Sequence, residues 1–265
     1  MKITKGYEKL TRIENGDYVL EGDLISTENI KVELDDRLIV KGSIRTEKSI
    51  IVERSLIAGC GIKAGCGIKA GCGIEAGDGI NAGGGIKAGC GIKAACGIKA
   101  GCGIEAGDGI NAGGGIKAGC GIKAGGGIKA GCGIKAGGGI KAGCGINAGG
   151  GIEAKTFIHS EKRIFAGISL YSTSADCDKT IKCAELRKGE ICYGELIITK
   201  SYFNGKVVCI NDGGIADLTV GKIYTIVDGN GKDDKGSLFV NAPVSSVDEL
   251  NAHFANIKFL EIKGE

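Results

Sequence analysis

From Tyr18 onward an aliphatic residue recurs every six positions, and the residue two places later is apolar or small. Tyr18/Leu20, Leu24/Ser26 and Ile30/Val32 open the pattern, and two extra residues within 33–37 shift its frame. Leu38/Val40, Ile44/Thr46, Ile50/Val52 and Leu56/Ala58 then lead into residues 56–154, seventeen near-identical units of Ile-Lys-Ala-Gly-Cys-Gly. A strict short period of this kind marks a repeat architecture. Two Gly in almost every unit exclude an α-helix, because each costs about 1 kcal/mol relative to Ala. Collagen needs Gly at every third position and many prolines, whereas the one proline, Pro243, lies outside the array. Side chains alternate along a strand, so Ile62 and Ala64 face inward, Lys63 faces outward, and Gly65 turns the corner without a Cβ clash. Three such sides make a coil of eighteen residues, and coils stack at about 4.8 Å. The predicted fold class is all-β: a three-sided parallel β-helix (β-solenoid) over 18–200, followed by a small β domain over 203–265.

The eighteen-residue coil sorts the outward residues into three columns. One reads Lys63, Asn81, Lys99, Lys117, Lys135, Glu153; the second Lys69, Lys87, Glu105, Lys123, Lys141; the third Glu75, Lys93, Asn111, Lys129, Asn147. Two faces are therefore lysine ladders. Columns of Lys about 5 Å apart repel one another and welcome a polyanion, so Lys63, Lys99, Lys117, Lys135, Lys69, Lys87, Lys123 and Lys141 are the candidate ligand-binding residues. The competing reading is a charged, solvated face that keeps exposed strands soluble. Residues 73–94 reappear at 103–124, a spacing of thirty that is no whole number of coils, and mark a duplication.

Residues 1–17 are polar and read as a tail or cap. After Ile152 the period decays through Ile158/Ser160, Ile164/Ala166 and Leu170/Ser172. The stretch 171–179 reads as a loop, Ile181/Cys183 and Ile191/Tyr193 as a last coil or its cap, and 195–199 as a strand. Beyond 203 two alternating strands, 205–212 and 218–227, flank a Gly-rich turn. A polar turn at 229–236, a strand at 239–240, a short helix at 247–255 with a Ser246/Glu249 capping box, and a closing strand at 257–262 follow.

Residues 38–58 resemble bactofilins and other hexad β-helix proteins, which alternate Val/Ile with Gly-x-Ile; bactofilins polymerise end to end, so the resemblance implies that a homo-oligomer is possible. Left-handed hexapeptide acyltransferases place a small residue two positions before the aliphatic one, as Cys60 before Ile62 does. Lys63 departs from their small or acidic residue, and the array lacks the catalytic His that those enzymes need, so handedness stays open. The segment Lys206-Val-Val-Cys-Ile followed by Leu218-Thr-Val-Gly-Lys-Ile-Tyr resembles small SH3-like barrel domains common among phage-encoded proteins. That resemblance implies an SH3-like fold for 203–265, a protein partner held there, and a phage or other mobile element as source.

Net charge is +3 over 265 residues, and the array holds ten Lys against five acidic residues. This is milder than the basic stripe of a dedicated DNA binder. No run of eighteen apolar residues indicates a membrane span, and the N-terminus lacks an apolar signal core, so the expected location is cytoplasmic, in the host cell. Of thirteen cysteines, nine share one array slot, at 60, 66, 72, 90, 96, 102, 120, 132 and 144. Their spacing matches no zinc pattern, and the expected role is a small apolar filler near a corner. Only Cys72/Cys90 and Cys102/Cys120 stack on adjacent coils, with Cα atoms about 5 Å apart, which permits a disulfide. Asp78 and Asp108, which replace Cys, fall on different sides and are expected to bond at corners. His159 and His253 read as surface residues. Gly-x-Gly recurs in every unit and so marks a backbone need rather than a phosphate loop. No catalytic residue, metal or cofactor is expected. The expected function is non-enzymatic: a rigid solenoid presenting an adaptor domain. The alternatives are an anionic-ligand binder acting against a host system and, third, a hexapeptide-type acyltransferase.

Overall fold

Each six-residue unit folds as a three-residue strand and a three-residue corner. Ile62–Ala64, Ile68–Ala70 and Ile74–Ala76 are three successive strands on the three sides of one coil, here called the first, second and third sides. The structure is a computed structural model that describes residues 1–168, 178–199, 205–212, 218–220, 222–227, 230–231, 250–251 and 257–262. It divides into two units, Met1–Thr199 and Lys200–Glu265.

In the first unit every array strand pairs in parallel with the strand eighteen residues away: Ile62 with Ile80, Ile80 with Ile98, Ile98 with Ile116. Lys63, Lys99, Lys117 and Lys135 accordingly occupy one column. The inward Ile and Ala of the array are at most 3% exposed. Corners add their own bonds between coils: the Gly83 N–H donates to the Ala64 carbonyl at 3.0 Å, and the Ile80 N–H to the Gly97 carbonyl at 3.0 Å. This corner is where Gly matters most. A Cβ placed on Gly83 would lie 1.9 Å from the Gly65 carbonyl oxygen, a separation no unshifted backbone tolerates. Ala95 is the one array residue in this slot that is not Gly, and its N–H keeps the equivalent bond to Ala76 at 3.1 Å.

The first coil is longer. Tyr18 pairs with Leu38, Leu24 with Ile44 and Ile30 with Ile50, each twenty residues apart, which accounts for the two extra residues within 33–37. Residues 1–17 cover this coil on two sides. Lys2–Ile3 lies parallel to Ile30–Val32, Leu10–Arg12 runs antiparallel to Tyr18–Leu20, and Tyr7 and Leu10 pack on the core. The enlarged corner supplies polar ties. Arg37 donates to both oxygens of buried Asp17 at 2.8 and 2.7 Å, and Asn15 Nδ2 adds a third bond at 2.9 Å. Arg37 chiefly holds the Asp17 carboxyl below its ordinary range. Lys5, with help from the Tyr18 hydroxyl, draws Asp35 down to about 2.

At the other end Glu161, Lys162 and Arg163 stand where the array has its glycine corner. Phe157–Ala166 therefore runs as one strand around that corner, pairing with Ile140–Ala142 and Ile146–Ala148. That joins the second and third sides into a nineteen-stranded sheet, while the first side remains a separate ten-stranded one. Glu185–Tyr193 lies along Phe157–Ala166 with three register shifts. Those shifts correct the Ile191/Tyr193 reading: Leu186 and Ile191 sit over Ile158 and Ile164, whereas Tyr193 pairs with outward Phe165 and is exposed. Thr180–Cys183 and Glu195–Ile198 complete the first side. The two inward hydroxyls, Thr46 and Ser160, donate to the carbonyls of Glu28 and Cys144, as buried polar groups must. Leu170/Ser172 and most of the 171–179 loop lie outside the described residues.

In the second unit Gly205–Asp212 is flanked by antiparallel Ile223–Val227 and Ile257–Ile262, and Asn230–Gly231 extends the sheet. Val207, Cys209, Leu218, Tyr224, Ile226, Leu250 and Phe259 form its core. Tyr224 and Phe259 meet edge to face at 6.2 Å, a favourable aromatic geometry. The expected strand at 239–240 lies outside the described residues, as does the helix at 247–255 apart from Leu250 and Asn251. Asn251 clamps the Phe259 backbone through its side-chain amide, donating at 3.0 Å and accepting at 2.7 Å.

Candidate functional site

The eight candidate lysines stand on two faces as the register requires, all with exposed side chains. What the columns alone left equal, the ion pairs separate. On the second side Glu105 sits between Lys87 and Lys123 and bonds both, at 3.0 and 3.4 Å. Those two ammonium groups, Lys87 first, hold the Glu105 carboxyl below its usual range. On the first side only Lys135 is neutralised, by Glu153 at 2.7 Å. Arg45, Lys63, Lys99 and Lys117 form no ion pair among the described residues, and Arg45 stacks directly on Lys63. All three sides carry an axial groove floored by Gly and Ile, of about 800 Å³ on the first side, 770 Å³ on the second and 1080 Å³ on the third. Neither groove volume nor net charge separates the two lysine faces, since each array column holds four Lys and one Glu; the placement of the carboxylate does, mid-column at Glu105 on the second side and at the end, Glu153, on the first.

Glu75 and Glu105 are equivalent residues of the duplicated segment. Because thirty residues is not a whole number of coils, the two copies lie on different sides. Each found a lysine on the next coil: Glu75 takes Lys93 at 2.7 Å.

The array cysteines depart from expectation. Cys66, Cys90, Cys96, Cys102, Cys120 and Cys132 are exposed, and Cys60, Cys72 and Cys144 are half-buried. None fills the core, which Ile and Ala complete without them. The slot lies at the apex of the corner, where the side chain projects away from the axis. Proximity to a corner was legible in the repeat, but the direction of the side chain was not. Asp78 and Asp108 likewise make no side-chain hydrogen bond or ion pair among the described residues. The corner is bonded through its backbone instead, with Asp108 N–H donating to the Cys90 carbonyl at 3.3 Å. The two carboxylates sit on different corners, as the spacing implied.

His159 bonds Glu161 at 2.7 Å, and Glu161 also pairs with Lys188. Lys188 chiefly, then His159, holds the Glu161 carboxyl at about 2. This is a tie between the last coils, with the imidazole committed to a carboxylate. His253 lies outside the described residues. Among the described residues no group of three or more His, Cys, Asp or Glu could hold a metal ion, and no helix is long and apolar enough to cross a membrane. No protein-family model, curated protein or solved structure matches the chain.

Proposed function

We propose that the chain is a non-enzymatic scaffold: a rigid β-solenoid spacer carrying an interaction module of SH3-like type in residues 203–265. The observation that supports this best is the unbroken register of the array, a core with no specialised position from Leu56 to Ala154. The SH3-like reading rests on the resemblance of 206–224, and so does a phage or mobile-element source acting in the host cytoplasm. Val220 and Ile223 are large apolar residues exposed on the second unit, and they are the contacts proposed for a protein partner. Affinity capture from host lysate with the full chain tests this. A partner should be retained by the wild-type protein and lost with Val220→Asp/Ile223→Asp; equal retention by both proteins overturns the assignment.

A second reading has its own observation, the run of Arg45, Lys63, Lys99 and Lys117 on the first side, none of which forms an ion pair among the described residues. A polyanion lying in that groove meets Arg45, Lys63, Lys99 and Lys117 without displacing a carboxylate. About four such contacts give a slope of log K against log salt of about −3 to −4 on duplex DNA. Changing Lys63, Lys99 and Lys117 to Gln should flatten that slope without unfolding the coils. The same change at Lys87, Lys123 and Lys141 should matter less. A raised 260/280 nm absorbance ratio of the purified protein would show a nucleic acid already bound.

A further inference from the structure

Nine thiols project along the corners of a solenoid whose packing does not need them. The slot accepts Gly or Asp in other units, so folding does not demand Cys there. An exposed free thiol is open to a metal ion, which it binds as the thiolate. In two places, and only two in the array, they stack directly. The Cys90 N–H donates to the Cys72 carbonyl at 3.2 Å, and the Cys120 N–H to the Cys102 carbonyl at 3.2 Å. Elsewhere a neighbouring coil interposes another residue: Asp78 between Cys60 and Cys96, Gly84 between Cys66 and Cys102.

Stacking geometry selects the chemistry. Successive coils are related by translation, so the Cβ atoms of a pair are separated, like the Cα atoms, by about 4.8 Å. A disulfide wants Cβ atoms roughly 3.5–4.5 Å apart, closer than this register allows. Two metal–thiolate bonds of the length seen for zinc, about 2.3 Å, placed end to end span about 4.6 Å, close to one coil step, so a single ion can bridge the pair. Tetrahedral zinc needs four ligands, which no corner provides. Soft thiolates favour Cu(I) among the available cations. We infer that Cys72/Cys90 and Cys102/Cys120 are two dithiolate sites, each bridging adjacent coils through one two-coordinate soft d10 cation of the Cu(I) class. On binding, two S–H bonds break and two S–Cu bonds form; two protons leave to solvent and the copper remains Cu(I). Desolvation at the corner, then the nearness of Cys72 and Asp108, holds the Cys90 thiol above its ordinary range. Metal binding releases both thiol protons of a pair, so uptake weakens as pH falls.

The test is anaerobic titration of the reduced full chain with Cu(I) supplied as its bicinchoninate complex. Bound metal is counted by mass spectrometry and the thiolate-to-copper absorption is followed. Two equivalents are expected for the wild type, one each for Cys90→Ser and Cys120→Ser, and none for the double variant. Cys66→Ser and Cys132→Ser, which alter unstacked thiols, should leave two equivalents. Circular dichroism should show the same β signature in every variant, since each substituted residue is exposed. Two equivalents retained by the double variant, or uptake that follows total thiol number, overturns the assignment. So does peptide mapping that finds Cys72–Cys90 and Cys102–Cys120 closed as disulfides in air-purified protein without loss of structure.

Discussion

The array and the end coils of the solenoid hold themselves together by different means. Within the array each coil is fastened by backbone ladders, Ile/Ala layers and a few exposed ion pairs such as Lys87–Glu105. In the first coil the inward residues enlarge to Tyr18, Leu20, Leu24 and Val32, and buried Asp17, paired with half-exposed Arg37, ties the enlarged corner. At the far end one strand runs around a corner, and the Arg187 guanidinium stacks over the Phe157 ring at 3.9 Å. An interior coil has a twin above and below, so one packing solution serves every time. A terminal coil has a neighbour on one side only. It must hide an open core and a row of unpaired backbone groups, which would otherwise template aggregation.

The sharpest break of this comparison is a pair of deletions. Removing residues 1–17 should abolish soluble, cooperative folding, because it uncovers Tyr18, Leu20 and the strand edges of the first coil. Excising residues 98–115, one whole coil of the array, should leave a soluble protein with the same circular dichroism signature and a small change in melting temperature. If both deletions behave alike, the ends are not special. Next in size is a cut inside the array: Ile98→Ala empties part of a layer and should cost about 2–5 kcal/mol in a denaturant titration.

A smaller effect separates the ends by pH. Asp17 is depressed in the folded state by Arg37, so its contribution is present above the ordinary carboxylate range and is lost as pH falls through the folded value. Melting temperature should therefore drop below about pH 4. Arg37→Met, which removes two of the three side-chain bonds to buried Asp17, should lower the melting temperature at neutral pH and flatten that acid dependence. An unchanged profile would separate the pair from the acid transition. Smallest is Glu105→Gln, which removes two exposed pairs and should shift stability by less than about 1 kcal/mol. Its clearer readout is tighter polyanion binding on the second side.

The period made most of the solenoid readable. Ile62 and Ala64 inward, the coil of eighteen and the frame shift at 33–37 follow from spacing alone, because burial on one face leaves no other register. The partners of Glu105 were equally available, since Lys87 and Lys123 lie one coil to either side. Reading the column as an interrupted ladder missed the pairing. Other features had no local signal. Lys2 meets Lys31 across twenty-nine positions, and nothing periodic marks the antiparallel turn that brings Leu10 onto Leu20. Tyr193 was misplaced because Glu185–Tyr193 shifts register three times along Phe157–Ala166, whose corner lacks the array's glycines. The outward thiols escaped because a corner residue obeys no inward–outward alternation.

The interchangeability of the three sides bears on how such a chain changes length. A six-residue insertion is eighteen nucleotides long and keeps the reading frame, and any side accepts it, as the duplication of 73–94 at 103–124 shows. One inserted unit turns everything downstream by about a third of a revolution and advances it by roughly 1.6 Å, a third of the coil step. Three units advance it by one full step with no rotation. Replication slippage at the gene can therefore act as a screw adjustment, changing the reach and the azimuth of the later coils together in fixed steps while the core is left as it was.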